Sequence, residues 1–301
     1  MEHLFFLEVA NFEFAHVLMA LSIRLTGYQP QYFPRLHYFA RILDSDIFTI
    51  SDYLQYVRKH TYPNPDGTTH RGVSYQAHTP IKTAQGAFML DIPVKKGGEQ
   101  GRQSLNEAEI DYASAWQQKN INSIHHNYHR ATNYSAVFPS LSLVMMQRYG
   151  SLAECTIESM LWALSMILEV PCYRPKGPTL AQINDALAQS PFRLRRIVRM
   201  SETPILPADK EKRDANDWLV ETCAYFNADE YYFGGTSAAA YMDFSRFEKA
   251  GIALVRQQWT CAPYRQQHGE FIPNLSIIDL LMNVPVAEAR EILHPKSAAE
   301  R

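Results

Sequence analysis

The stretch Gly27-Tyr28-Gln29-Pro30-Gln31-Tyr32-Phe33-Pro34 gathers amides, aromatic rings and two prolines into one short segment. The prolines stiffen it, Gln29 offers an amide, and Tyr28, Tyr32 and Phe33 are either stacking rings or simply core and rim aromatics. Pro34 suits the first turn of a helix whose dipole would face any anion held there. Ser51-Asp52-Tyr53-Leu54-Gln55-Tyr56 supplies an ionisable carboxylate and a further amide. Asp52 is the leading carboxylate, with the chemistry of a general base, a magnesium contact or a helix cap. Tyr232-Phe233-Gly234-Gly235-Thr236-Ser237 ends a strand in a glycine turn with two hydroxyls, a cradle for a phosphate or a substrate. Lys82 and the run Lys95-Lys96-Gly97-Gly98 add local positive charge that suits a phosphate or a plain solvated turn. Tyr264 and Gln267 lie in a polar loop just before Ser276 and would complete a pocket.

Other chemistries lack their residues. The Walker Gly-Lys-[Ser/Thr], the dinucleotide G-x-G-x-x-G and the Gly-x-Ser-x-Gly nucleophile elbow do not occur. The 4 cysteines, Cys155, Cys172, Cys223 and Cys261, form no Cys-x-x-Cys pair, which argues against a zinc knuckle and for reduced thiols of the cytoplasm. His125 and His129 share a helical face, but the glutamate a zinc protease needs beside the first is His126, and no third ligand is evident. No metal is expected, and these histidines read as water-facing. Phe192 to Arg199 is the densest basic run, a candidate clamp for phosphates or an RNA backbone, but its alternation with apolar residues favours a strand with one solvated face. Ser276 followed by Asp279 has the spacing of a helix cap with an acidic residue returning to it.

These residues need a scaffold. The chain has 301 residues, 46% hydrophobic and 20% charged, enough for a large core. A formal charge of -2 leaves no global field drawing it to nucleic acid or an anionic membrane, so any anion site must be local. No run approaches the ~18–20 apolar residues of a membrane span. The apolar start from Met1 to Met19 carries Glu2, Glu8 and Glu13 and no basic leader, unlike a secretory signal, and a strand follows Met19 directly. Residues 1–18 are therefore expected to be an extension, with translation starting at Met19.

From Ile23 the pattern is strand (23–28), helix (34–44), strand (47–50), followed by polar loop signals around Pro63, Pro65 and Asp66-Gly67. Alternating runs at 73–81 and 87–94 flank Gln85-Gly86 as a hairpin, and helical periodicity fills 107–169. The last third alternates again: strand 196–200, helix 214–227, strand 230–233, helix 245–250, strand 252–256, helix 276–283. Such alternation requires crossovers and hence a parallel sheet. The expected fold is α/β: a doubly wound, mainly parallel, Rossmann-like sheet in one domain spanning 19–301. A β-hairpin and a helical segment are inserted at about 60–195, and Lys296 to Arg301 form a tail.

Several segments together resemble the WbqC-like family: Gln29-Pro30-x-Tyr32-Phe33-Pro34, Asp52 with Gln55, Ile92-Pro93-Val94-Lys95, and Trp116, Lys119 and Tyr128 of one helix. To these add Tyr232-x-Gly234-Gly235 with Tyr241, Tyr264-x-Gln266, and Phe271-x-Pro273-x-Leu275-Ser276-Ile277-Ile278-Asp279. The likeness runs in order from about Ile23 to Asn283. It implies a product of a bacterial surface-polysaccharide gene cluster, adding an aminoacyl group such as glycine to an O-antigen sugar. Where the family usually has a glycine after Pro34, this chain has His37, which could add an acid/base group or narrow the pocket.

The function this suggests is a cytosolic transferase passing an acyl or aminoacyl group from an activated, phosphate-bearing donor to an amino sugar. The donor could be a small molecule or a charged tRNA; no cofactor is specified. Asp52 or His37 would be the base. Gln29, Tyr32, Gln55, Lys82, Lys95, Tyr232, Gly234, Gly235, Tyr264 and Gln267 would bind substrates. Two alternatives stand: a nucleotide- or nucleotide-sugar-handling enzyme catalysing phosphoryl or nucleotidyl transfer, and a non-catalytic pathway subunit.

Overall fold

The computed structural model describes residues 22–63, 67–97, 103–171, 177–205, 214–234 and 242–294. Five short strands form one parallel sheet: β1 (Arg24–Tyr28), β2 (Ile47–Ile50), β7 (Arg196–Arg199), β8 (Glu230–Phe233) and β9 (Ala253–Arg256), in the order β7-β2-β1-β8-β9. Their register pairs Leu25 with Ile47 and with Tyr231, Ile50 with Arg199, and Phe233 with Arg256. Runs such as Ile47-Phe48-Thr49-Ile50 suit strands covered on both faces, as parallel strands are.

Alternation along the strands sends side chains to two apolar clusters. Phe48 and Ile50 face a large cluster built with α1 (Leu36–Leu43), α2 (Trp116–Tyr128), α3 (Tyr134–Met146), α4 (Leu152–Leu168), α5 (Leu180–Leu187), α8 (Ile277–Asn283) and α9 (Val286–Leu293). Leu25, Tyr231 and Phe233 face a smaller one with α6 (Ala215–Tyr225) and α7 (Phe244–Lys249). Helices thus cover both faces, the doubly wound α/β arrangement expected from the alternating elements. The chain moves outward from β1 to β2 to β7, then returns to the other side of β1 for β8 and β9. Strand order reverses between β1 and β8, where a crevice opens at the carboxyl ends.

Two antiparallel pairs stand outside the sheet: β3 (Lys59–Pro63) with β4 (Thr69–Val73), and β5 (His78–Thr83) with β6 (Gly86–Asp91). The second is the expected hairpin, but its first strand starts at His78. Val73 belongs instead to β4, in a stretch that reads as loop because its residues are polar or exposed and carry no apolar face. α5 and α9 are also additions to the sequence reading. α5 is fixed by a capping box between Thr179 and Gln182.

The segment after β1 is clamped from three directions. The Phe33 amide donates to Ser159 Oγ of α4 at 2.9 Å, and the Phe33 carbonyl accepts from Thr79 Oγ1 of β5 at 2.6 Å and Ser276 Oγ at 3.0 Å. Phe33 itself has φ 37°, a conformation costly for a bulky residue and maintained by these bonds. The inserted elements and the N-cap of α8 therefore fix where α1 begins.

Candidate functional site

At the β1/β8 switch point lies a cleft of about 350 Å³. Its floor is the strand ends, Gly27 and Tyr28 of β1 and Phe233 of β8 with Gly234 just after it. Gly27 permits a close sheet contact, since a Cβ there would meet Thr49 Oγ1 at 2.7 Å. One side is polar, with Arg41 of α1, Gln29 and Tyr75; Ser51 lies at the end of β2. The other is apolar, with Leu54, Trp218, Leu219 and Met242.

Arg41 is the charged residue of this lining and only 5% exposed. Its Nε donates to Gln257 Oε1 at 3.0 Å and its guanidinium lies 4.9 Å from the Tyr28 ring centroid. Among the described residues no carboxylate pairs with it. The glycine at 234 makes its position possible: a Cβ there would stand 2.4 Å from Arg41 Nη2 and 2.6 Å from Cζ. Gln29 is fixed by Tyr75 Oη and Gln76 Nε2, which donate to its Oε1 at 2.9 and 2.8 Å.

His37 lies one helical turn before Arg41 and outside the cleft lining. Gln257 joins the two, because its Nε2 donates to the His37 carbonyl at 2.9 Å. Asn274 Oδ1 accepts from the His37 backbone N–H at 3.0 Å and lies 3.0 Å from Nδ1. That oxygen is an acceptor, so Nδ1 carries the ring proton and Nε2 the lone pair. Burial, aided by the charges of Arg41 and Arg35, lowers the His37 pKa to about 4, against the Asn274 hydrogen bond. The ring is neutral at pH 7.

Asp52 lies beside Ser51 but turns toward β7. Fully buried, it accepts from Arg199 Nε at 2.9 Å, Ser201 Oγ at 2.6 Å and the Ser201 amide at 3.0 Å. Its carboxylate ties the end of β2 to the end of β7. In the basic run that enters β7, Arg193 pairs with Asp46 at 2.8 Å, while Arg195 and Arg196 are exposed.

A second polar cluster forms around Asp279 of α8. Ser276 caps α8 through the Ile278 amide at 3.3 Å, but Asp279 does not return to the cap as its spacing suggests. Its carboxylate accepts from Tyr128 Oη and Tyr264 Oη, both at 2.6 Å, and from Gln266 Nε2 at 2.9 Å. Burial pushes the Asp279 carboxyl upward, opposed by these donors and by Lys82. Lys82, 1% exposed, donates through Nζ to the carbonyls of Glu270 and Gly269, and burial lowers its pKa. It thereby pins the 264–276 loop.

Of the residues singled out in the sequence, the cleft brings together Gln29 and Gly234. Tyr264 and Lys82 join the Asp279 cluster, and Gln267 donates to Asn283 Oδ1 at 3.2 Å. Lys95 is exposed and paired with Glu109 at 2.9 Å, and Gln55 is exposed beside Ser104. Tyr32 is buried against Phe33 and Trp116. Tyr232 lies under Arg24, 4.8 Å from its guanidinium, on the α1 face of the sheet. Gly235, with Thr236, Ser237 and Tyr241, lies outside the described residues, as do Gly98, the 1–18 extension, Met19 and the Lys296 to Arg301 tail. His125 on α2 and His129 at its C-cap are exposed, and His125 Nδ1 lies 2.7 Å from Tyr134 Oη. Arg41 escaped the sequence reading, although α1, Leu-His-Tyr-Phe-Ala-Arg-Ile-Leu, shows it as a lone arginine among apolar residues.

The WbqC-like protein family model matches residues 29–291. Uncharacterized protein Rv1507c of Mycobacterium tuberculosis (strain ATCC 25618 / H37Rv) is 25% identical over 267 residues, 88% of this chain and 95% of that protein. No solved structure matches the chain.

Proposed function

The chain belongs to the WbqC-like protein family, and from that premise we propose a transferase that holds an activated, phosphate-bearing acyl or aminoacyl donor at the switch-point cleft. It passes the acyl group to an amino sugar destined for a bacterial surface polysaccharide. The observation that carries this reading is the buried Arg41 guanidinium at a cleft with no carboxylate partner among the described residues. A buried cation is costly until an opposite charge joins it, and an anionic ligand supplies one.

In the reaction the amine nitrogen bonds to the donor's carbonyl carbon, and the bond from that carbon to the phosphate-bearing leaving group breaks. The amine's proton passes to a base. Arg41 suits the charge gained by the leaving group, and Gln29 suits neutral groups of the donor. Neither base candidate lines the cleft, but His37, one turn of α1 from Arg41, is better disposed than Asp52 because its Nε2 lone pair is free of the Asn274 contact. The Asp52 oxygens already accept from Arg199 and Ser201. Asp52 then acts as a positioning group for the β2 end.

Orthophosphate and pyrophosphate are expected to raise the melting temperature of the full chain and to leave Arg41→Met unaffected, since a ligand bound only by the folded state stabilises it. Equal shifts in both proteins, or none in either, would remove the anion site. For the transfer itself, a glycyl-adenylate supplied with an amino sugar should yield the glycyl amide by mass spectrometry. His37→Gln should lower the turnover number more than Asp52→Asn does.

A further inference from the structure

Resting on the reading of the cleft as an anion site, we infer that its occupant is a nucleoside phosphate. The phosphate sits on Arg41 and the base lies against Leu54, Trp218 and Met242. Three observations lead there. The cleft is divided: its cation comes from α1 on one face of the sheet, and Trp218 comes from α6 on the other. A ligand filling it must therefore be charged at one end and apolar or aromatic at the other. Arg41 is the charged side chain of the described lining, which matches one phosphate group better than a polyphosphate chain.

Size gives the third argument. About 350 Å³ is roughly a dozen times the space of a water molecule, far more than a bare phosphate or carboxylate fills. It falls in the range of pockets that enclose a small organic ligand. The lining also holds Ser51 and Gln29, neutral groups suited to the hydroxyls of a sugar ring. The apolar end presents an indole, and aromatic side chains stack favourably on bases. A nucleoside monophosphate has this combination of anion, polyol and flat ring; an alkyl phosphate lacks the last two.

Titration calorimetry on the full chain with orthophosphate, adenosine and uridine 5′-monophosphates, adenosine and hexyl phosphate tests the assignment. One nucleoside monophosphate is expected to bind at least tenfold more tightly than either orthophosphate or hexyl phosphate. Trp218 is largely buried, so its truncation could unfold the chain. Leu54→Ala, at a half-buried position, serves instead. It should weaken the nucleotide at least threefold and leave orthophosphate unchanged, while Arg41→Met abolishes both. If hexyl phosphate binds as tightly as the nucleotides, or if orthophosphate binds through Arg41 and the nucleoside adds nothing, the nucleotide assignment fails and the anion site stands. Failure of every phosphate species to bind overturns both.

Discussion

Arg41 and Gly234 act as a pair, because the guanidinium occupies the space a side chain at 234 would need. Gly234→Ala should leave the fold intact, since the obstructing atoms are the far end of a flexible side chain, and should cost at least tenfold in phosphate affinity as that end moves. Arg41→Met removes a buried charge that lacks a carboxylate partner among the described residues, so its denaturation free energy should stay within about 1 kcal/mol of wild type while anion binding is lost. A large loss of stability in Arg41→Met would assign the guanidinium a structural role. The histidines give a pH signature. Burial lowers His37 and His78 to about 4, below their value in the unfolded chain. The unfolded state therefore binds protons first on acidification, and stability falls as pH drops from about 6.5 to 4, by on the order of 3 kcal/mol per histidine. Urea titrations across this window should show a shallower fall for His37→Gln; an unchanged slope would assign the effect elsewhere.

At the scale of elements, Asp279 joins α8 to α2 and to the loop before α8. Tyr128 does two things at once: its hydroxyl donates to Asp279 and accepts from the Lys82 amide at 2.8 Å. Tyr264 likewise donates to Asp279, but among the described residues no backbone amide donates to its hydroxyl. Tyr128→Phe should thus cost about 3 kcal/mol, orphaning a buried amide as well as a carboxylate contact, and Tyr264→Phe about 1–2 kcal/mol. Equal losses in urea denaturation would show that the amide finds another acceptor. This cluster marks a limit of sequence reading. The interval from Ser276 to Asp279 is a legitimate cap signal, but Tyr128 lies 151 residues away and nothing local announces it. The sheet strands and α1, α6 and α7 were legible because parallel strands and crossover helices alternate short apolar runs with helical periodicity. β3 and β4 were not, because a polar hairpin lacks the one-sided apolar pattern that betrays a strand.

Over the whole molecule, the sheet separates two apolar clusters, and the cleft touches both: Arg41 stands on a helix of the larger, Trp218 and Leu219 in the smaller. The sequence located this region, since the segments after β1, β2 and β8 are strand ends in any doubly wound sheet. It did not reveal which neighbouring side chains enter, because Asp52 and Tyr232 turn to Arg199 and Arg24 while Arg41 comes in from a helix. A ligand bridging Arg41 and the α6 wall ties together layers that otherwise meet through short strands. Hydrogen exchange should then slow on phosphate-ligand binding in both α1 and the first turn of α6, while the β5–β6 hairpin and the exposed surface of α3 keep their rates. Protection confined to α1 would place the ligand on Arg41 without the far wall. Protection spread evenly over the chain would indicate global stabilisation with no local bridge, since amides that exchange only by complete unfolding all gain the same free energy from ligand binding.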